Sequence, residues 1–166
     1  DFLSKADNWD RAIYYSKSEY SMLHHSDDLL NPRAVEDVLN AIEEDGIAGV
    51  IHGSRGIISQ SGEYLDSAWN YPFKYKIEPK DNLLNFFMDL SIIGLTFKTE
   101  LYKEEGRFDN SYFHLHDWDA FRRMLEKSVS FYIPKSLGYW RMHPLPIKLE
   151  IISFQETLRV LNSSSS

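Results

Sequence analysis

Three short stretches of the sequence place histidines beside carboxylates or basic groups. They are HHSDD (residues 24–28), HLHDWD (residues 114–119) and YWRMHP (residues 139–144). In the first, Asp27 and Asp28 are adjacent carboxylates, which repel each other unless water, hydrogen bonds or a cation offsets the repulsion. Their oxygens suit Mg²⁺ or Mn²⁺ together with a phosphate-bearing substrate. The stretch is therefore either half of a metal site or a solvated loop in which Asp28 and Asn31 begin a helix.

The other two stretches also have structural explanations. Asp117 can cap a helix, and Asp119 falls in its first turn, where the helix dipole favours negative charge. That explanation covers Asp119 but leaves two histidines beside two carboxylates unexplained. His143, taken alone, is more often a structural histidine than a metal ligand.

Composition and charge exclude several classes of function. The 166 residues are 43% apolar and 14% aromatic, which predicts one domain over residues 1–161 and a disordered serine tail over 162–166. A net charge of −7 argues against nucleic acid as the main ligand. The absence of cysteine excludes disulfides and a cysteine nucleophile. Without a signal peptide or an apolar run of about 20 residues, no transmembrane segment is expected and a cytoplasmic protein is predicted.

Hydrophobic periodicity and turn residues predict alternating helices and strands. Helices are expected at NWDRAIYYSKS, NLLNFFMDL, DWDAFRRMLEKS and KLEIISFQETLRVL. A further helix is expected to begin with Asn31 as cap and Pro32 at the first position, and to end at Gly46. Strands are expected at EYSML, IAGVIHG, SIIGLTF and SFYIP, with GSRG as the turn of a hairpin and residues 63–82 as an aromatic-rich loop or flap. This alternation predicts a layered α/β domain, with HHSDD at the strand edge where such sheets bind ligands.

The three stretches, in this order, resemble motifs of family 2 glycosyltransferases. SEYSMLHHSDDLLNP is similar to the segment in which GEY, an apolar strand and an acidic metal motif precede a proline-started helix. EEGRFDNSYFHLHDWDAFRRML resembles GGFDE followed by EDWDLWLRL, and LGYWRMHP resembles the YRxHP ending. ADNWDRAIYYSKSEY resembles the helix that leads into the metal motif, so the resemblance covers residues 6–145.

This resemblance implies a GT-A-like fold, a Rossmann-like mixed sheet flanked by helices, without the amino-terminal nucleotide-binding strands. The chain is therefore expected to be a fragment of a longer enzyme. The resemblance implies that Asp27, Asp28 and His143 bind Mn²⁺ or Mg²⁺ on the diphosphate of a nucleotide-sugar donor. It also implies that Asp117 is the general base on the hydroxyl of a carbohydrate or lipid-linked acceptor. The implied reaction is a one-step displacement with inversion, in the cytoplasm or at the membrane surface.

Five further residues receive substrate-binding roles from the resemblance: His25, Gly94, His116, Trp118 and Arg141. Two of them depart from the family pattern, because His25 replaces the first acid of the metal motif and His116 replaces the glutamate before the base. His25 either ligates the ion itself or weakens the site. Two other functions stay open: a glycosyltransferase-like binding module without turnover, and a metal-dependent hydrolase built on the same cluster.

Overall fold

The computed structural model describes residues 4–68, 71–79, 91–144 and 147–163. The strands in these ranges are β1 (Tyr20–Met22), β2 (Leu29–Leu30), β3 (Val50–Ile58), β4 (Tyr64–Ala68), β5 (Tyr75–Ile77), β6 (Thr96–Lys98) and β7 (Ser130–Arg141). The helices are α1 (Lys5–Tyr14), α2 (Ala34–Asp45), α3 (Thr99–Leu101), which continues as a π-helix (Tyr102–Gly106), α4 (His116–Lys127) and α5 (Ile147–Ser163). Across these ranges, no helix combines the length and apolar character needed to cross a bilayer.

The seven described strands form one mixed sheet around the long parallel pair β3 and β7. The order is β1-β6-β3-β7-β2, with β4 also paired to β3 and β5 to β7. Every pairing except β3–β7 is antiparallel. The predicted α/β mixed sheet flanked by helices is thereby confirmed.

Alternate side chains of the central strands serve two separate cores, as the two-residue period of a strand requires. Val50 joins the core formed with α1 and α4, whose buried members include Ile13, Phe97 and Phe121. Ile51, the next residue, joins the core formed with α2, which buries Ala34, Val38 and Ala41. Helices on both faces thus fix the sheet whose edge carries the candidate site.

The glycines of GSRG do not make the predicted turn, because β3 runs through them without interruption. Their role is close approach to β7. A Cβ on Gly53 would lie 2.5 Å from the backbone oxygen of Lys135, and one on Gly56 would lie 2.4 Å from the Tyr139 ring. The pairing also shifts register between Gly53 and Arg55. The hairpin lies further along the chain, between β3 and β4.

Three other element predictions need correction. Residues 63–82 contain the strands β4 and β5 rather than a loop alone. SIIGLTF is a turn followed by the short strand β6, with Gly94 in the turn at φ 71°. α2 begins at Ala34, and Asn31 forms the preceding turn by accepting the Arg33 N–H at 3.0 Å. Gly46 ends α2, as predicted, and adopts the left-handed conformation. The predicted helix NLLNFFMDL lies outside the described residues.

Candidate active site

The HHSDD stretch forms a turn between β1 and β2. Its start is anchored by buried Leu23, whose N–H donates to the Leu95 carbonyl at 3.1 Å. Within the turn, the Asp28 N–H donates to the His25 carbonyl at 3.3 Å. Its end is fixed because Leu29 pairs with β7. Asp28 is therefore a turn residue and does not start α2, which corrects the structural alternative drawn from the sequence.

This turn gathers His25, Asp27 and Asp28 into one compact group. One ligand atom from each lies within 4.8 Å of the others. His25 Nδ1 is 3.8 Å from Asp28 Oδ2, and the buried Nε2 of His25 has no hydrogen-bond partner in the described part of the chain. One imidazole and two carboxylates form a donor set that suits a divalent ion, and the buried, unpaired nitrogen fits that use.

Arg141 holds the turn against the end of β7. Its backbone N–H donates to Asp28 Oδ1 at 2.8 Å, and its Nε donates to the Asp27 carbonyl at 2.8 Å. Its guanidinium also donates to the carbonyls of Ser59 and Gln60 in the β3–β4 turn. Burial raises the pKa of the Asp28 carboxyl, while the Arg141 N–H acts in the opposite direction. Arg141 thus braces the turn, and its predicted contact with substrate stays a prediction.

His143 lies just beyond β7 on the same rim. Its Nε2 is 3.3 Å from Asp27 Oδ2, and both side chains are partly exposed. The structure therefore brings the predicted metal residues Asp27, Asp28 and His143 to one place. The compact group itself contains His25, and His143 approaches that group at Asp27.

The first turn of α4 lies within electrostatic reach of His25. His116 and Asp117 are its first two residues, and both are buried. Asp117 Oδ1 accepts the Trp118 N–H at 2.8 Å. Burial lowers the pKa of both His25 and His116, and the negative charge of Asp117 opposes that shift at each histidine. Asp117 therefore acts electrostatically on both sides of the site.

Trp9, to which the sequence assigned no role in the site, contacts both the HHSDD turn and the first turn of α4. Its ring stacks on His25 with centroids 4.9 Å apart and an interplanar angle of 16°. The same ring lies 5.1 Å from His116, and the Lys5 Nζ sits 4.5 Å from its centroid. The aromatic contacts give both imidazoles the apolar surroundings that lower their pKa values.

Arg55 and Glu156 are the other residues that the sequence did not identify. Burial lowers the pKa of Arg55 to about 10, and the nearby Asp28 carboxylate opposes this. Because Arg55 lies in GSRG, which the sequence predicts to be a turn, its position within a strand was not expected. Glu156 is buried on α5 and accepts the N–H groups of His114 and Leu115 at 2.9 and 2.8 Å. No local sequence pattern marks Glu156 as part of the site, because α5 lies after the three motif stretches in the chain.

Gly94 and Trp118 have packing contacts that account for their residue types. A Cβ on Gly94 would lie 2.6 Å from Leu137 Cβ, so its glycine is explained by close packing and positive φ. Trp118 is half-buried and packs against the core of α1 and α4. A substrate contact by either residue stays a prediction.

The mixed sheet with helices on both faces and an acidic turn at its edge is the arrangement of a GT-A-like domain. Residues 3–101 match the model of glycosyl transferase family 2, and the chain belongs to this family. The matched range contains His25, Asp27 and Asp28 and ends before Asp117.

The fold is similar to that of TarS from S. aureus in two crystal structures. For TarS 1–349 the TM-score is 0.63 at 15% identity, covering 82% of this chain and 40% of that one. For the other TarS structure the TM-score is 0.62 at 15% identity, covering 83% of this chain and 24% of that one. This chain thus spans less than half the length of either structure. No curated protein matches the chain.

Proposed function

We propose that this chain carries the metal-binding and acceptor-activating part of an inverting glycosyltransferase. The enzyme would move a sugar from a nucleotide-sugar donor to a hydroxyl of a carbohydrate or lipid-linked acceptor, in the cytoplasm or at the membrane surface. The observation that carries the proposal is the convergence of three distant segments. The metal-type group of His25, Asp27 and Asp28 meets the end of β7 and lies within the electrostatic reach of Asp117.

On the donor side, His25, Asp27 and Asp28 would hold a divalent ion. When bound, that ion stabilises the negative charge that develops on the departing diphosphate. The imidazole of His25 favours Mn²⁺ over Mg²⁺, because Mg²⁺ prefers oxygen ligands alone. Since burial lowers the pKa of His25, its ring is neutral near pH 7 and a nitrogen lone pair is free to coordinate. His143, 3.3 Å from Asp27, would donate to a diphosphate oxygen or join the ligands.

On the acceptor side, Asp117 would take the proton of the attacking hydroxyl. General-base assistance of this kind is worth about 10²–10⁴-fold in rate. The hydrogen bond from the Trp118 N–H orients the carboxylate at the first turn of α4. A one-step displacement needs one base on the acceptor and a positive counter-charge on the leaving group. With a divalent ion bound, the proposed site would provide both, which supports inversion at the anomeric carbon.

The proposal is tested by nucleoside diphosphate release from a panel of nucleotide sugars in the full natural protein. We expect release to require both Mn²⁺ and a sugar acceptor, and NMR of the product to show the inverted anomeric configuration. Nucleoside diphosphate release that does not depend on the sugar acceptor would identify a hydrolase instead. Absence of calorimetric binding for every donor in the presence of Mn²⁺ would favour the glycosyltransferase-like module without turnover.

A further inference from the structure

Two side chains one turn apart on α5 hold the segment 109–115, which leads into α4. The Glu156 carboxylate accepts the backbone N–H groups of Phe113, His114 and Leu115. Arg159 donates to the Ser111 hydroxyl at 2.7 Å and to the Ser111 carbonyl at 3.3 Å. The segment is thus bound at its N–H groups by an anion and at a carbonyl by a cation.

Further contacts reinforce this grip. The Arg159 guanidinium lies 4.1 Å from the Tyr112 ring centroid and 3.5 Å from Asp109 Oδ2. Val160, next to Arg159, is fully buried and anchors this part of α5. Burial by itself would raise the pKa of Glu156, but its three backbone hydrogen bonds outweigh burial and lower it. Glu156 is therefore held as a carboxylate, the form that accepts all three bonds.

The gripped segment sets the start of the helix that carries the proposed base. Leu115 is the N-cap of α4 and makes no side-chain capping bond. The N–H groups before the helix are bound by Glu156 from another helix, and His116 and Asp117 follow directly. Only two planar peptide units join Leu115 to Asp117, so a shift of residues 113–115 also displaces Asp117.

We propose that Glu156, assisted by Arg159, is a positioning residue that fixes Asp117 against the acceptor hydroxyl. The inference rests on the proposed function for the identity of Asp117 as base, but the Glu156 grip is independent of it. Glu156 lies outside residues 3–101, the part matched by the family model. A misplacement of about 1 Å at a reacting group costs on the order of 100-fold in rate.

The first test probes the backbone hydrogen bonds to Glu156 by amide hydrogen exchange in the full natural protein. Glu156→Gln keeps one acceptor oxygen and places an NH₂ group where the other carboxylate oxygen stood, so either the Phe113 N–H or the N–H groups of His114 and Leu115 face a donor. We expect exchange of the amides on that side to accelerate at least 10-fold. Gln155→Ala, at an exposed position on the same helix, is the matched control and should leave these rates unchanged. Unchanged exchange in Glu156→Gln would overturn the proposal.

The second test separates positioning from stability by steady-state kinetics. Glu156→Gln should lower kcat about 10- to 100-fold while donor KM and Mn²⁺ affinity stay within about twofold, because the metal group lies on another loop. Asp117→Asn is assayed in parallel. If Asp117→Asn is inactive and Glu156→Gln keeps full kcat, the positioning role is wrong and the proposed function stands. If Asp117→Asn keeps full activity, the base assignment and the positioning role both fail.

A third variant covers the case in which Glu156→Gln does not fold. Arg159→Gln removes the contacts to Ser111 from a half-exposed position, so the fold should tolerate it. The same pattern, lower kcat with unchanged donor KM, would support the proposal. An unchanged kcat in folded Arg159→Gln would then overturn it.

Discussion

Replacing Asp28 in two ways separates its charge from its hydrogen bond. The side chain is 2% exposed, and its Oδ1 accepts the Arg141 N–H at 2.8 Å. Asp28→Asn keeps an oxygen for that N–H and removes the charge. Asp28→Ala removes both and leaves a partly buried backbone donor without its partner.

The magnitude for Asp28→Ala follows from that orphaned donor. An unsatisfied buried N–H costs about 1–3 kcal/mol of unfolding free energy. For a chain of this size, 1 kcal/mol shifts Tm by about 2–4 °C, so the metal-free Tm should fall by about 2–12 °C. Repulsion between adjacent carboxylates, taken alone, predicts a rise in Tm. Because burial raises the pKa of Asp28 and so disfavours its charge, we expect a rise or no change only in Asp28→Asn.

The assay is thermal unfolding of the 166-residue chain in chelator and in Mn²⁺, supported by calorimetric titration. Mn²⁺ at 100 times its Kd should stabilise the parent by about 2.7 kcal/mol, and both Asp28 variants should lose this gain. Glu43→Gln, which removes an exposed carboxylate of α2, is the control and should keep it. Two results would contradict these roles of Asp28: Mn²⁺ affinity at the parent's level in Asp28→Asn, or an Asp28→Ala variant that unfolds no earlier than the parent in chelator.

Three further predictions concern the framework of the site. Gly94→Ala should lower the unfolding free energy in urea by about 2–5 kcal/mol, because of positive φ and overpacking. Gly46→Ala, at a similar φ of 69° with no atom within 4 Å, should lower it by about 1 kcal/mol. Equal losses would contradict the packing role of Gly94. Glu156 has a lowered pKa, so its stabilisation is present above its unfolded value of 4.5 and is lost as pH falls through the folded value. The unfolding free energies of the parent and Glu156→Gln should therefore converge at acidic pH, and a constant gap would contradict this. Asp119→Asn should lower the unfolding free energy by about 3 kcal/mol, since it breaks a buried ion-pair group, and kcat should be unchanged below Tm; a selective loss of kcat would oppose this role.

The sequence predicted those elements whose signals are local. α1, α4 and α5 have clear helical periodicity, and Gly46 ends α2 because its φ of 69° suits glycine. GSRG shows the limit of such signals. Glycines mark turns, but they also mark close approach of two backbones, and only the neighbouring strand β7 distinguishes the two.

The candidate site likewise contains residues that local patterns predicted and residues that they did not. Histidines and aspartates in short motifs identified the group around Asp27 and the first turn of α4. The supports of the site depend on residues far apart in sequence, such as the stacking of Trp9 on His25 and the Glu156 bonds to residues 113–115. A buried glutamate on a helix has no distinguishing pattern until the chain has folded. Tertiary contacts, rather than local propensity, set these positions.

The role of Asp117 as the base is tested by the kinetics of Asp117→Asn in the full natural protein. Asparagine is close to the same size as aspartate and cannot accept the hydroxyl proton, so the change acts on the chemical step. We expect kcat to fall by about 10²–10⁴-fold, with donor KM and Mn²⁺ affinity nearly unchanged. Full sugar transfer by Asp117→Asn would contradict the assignment of Asp117 as the base.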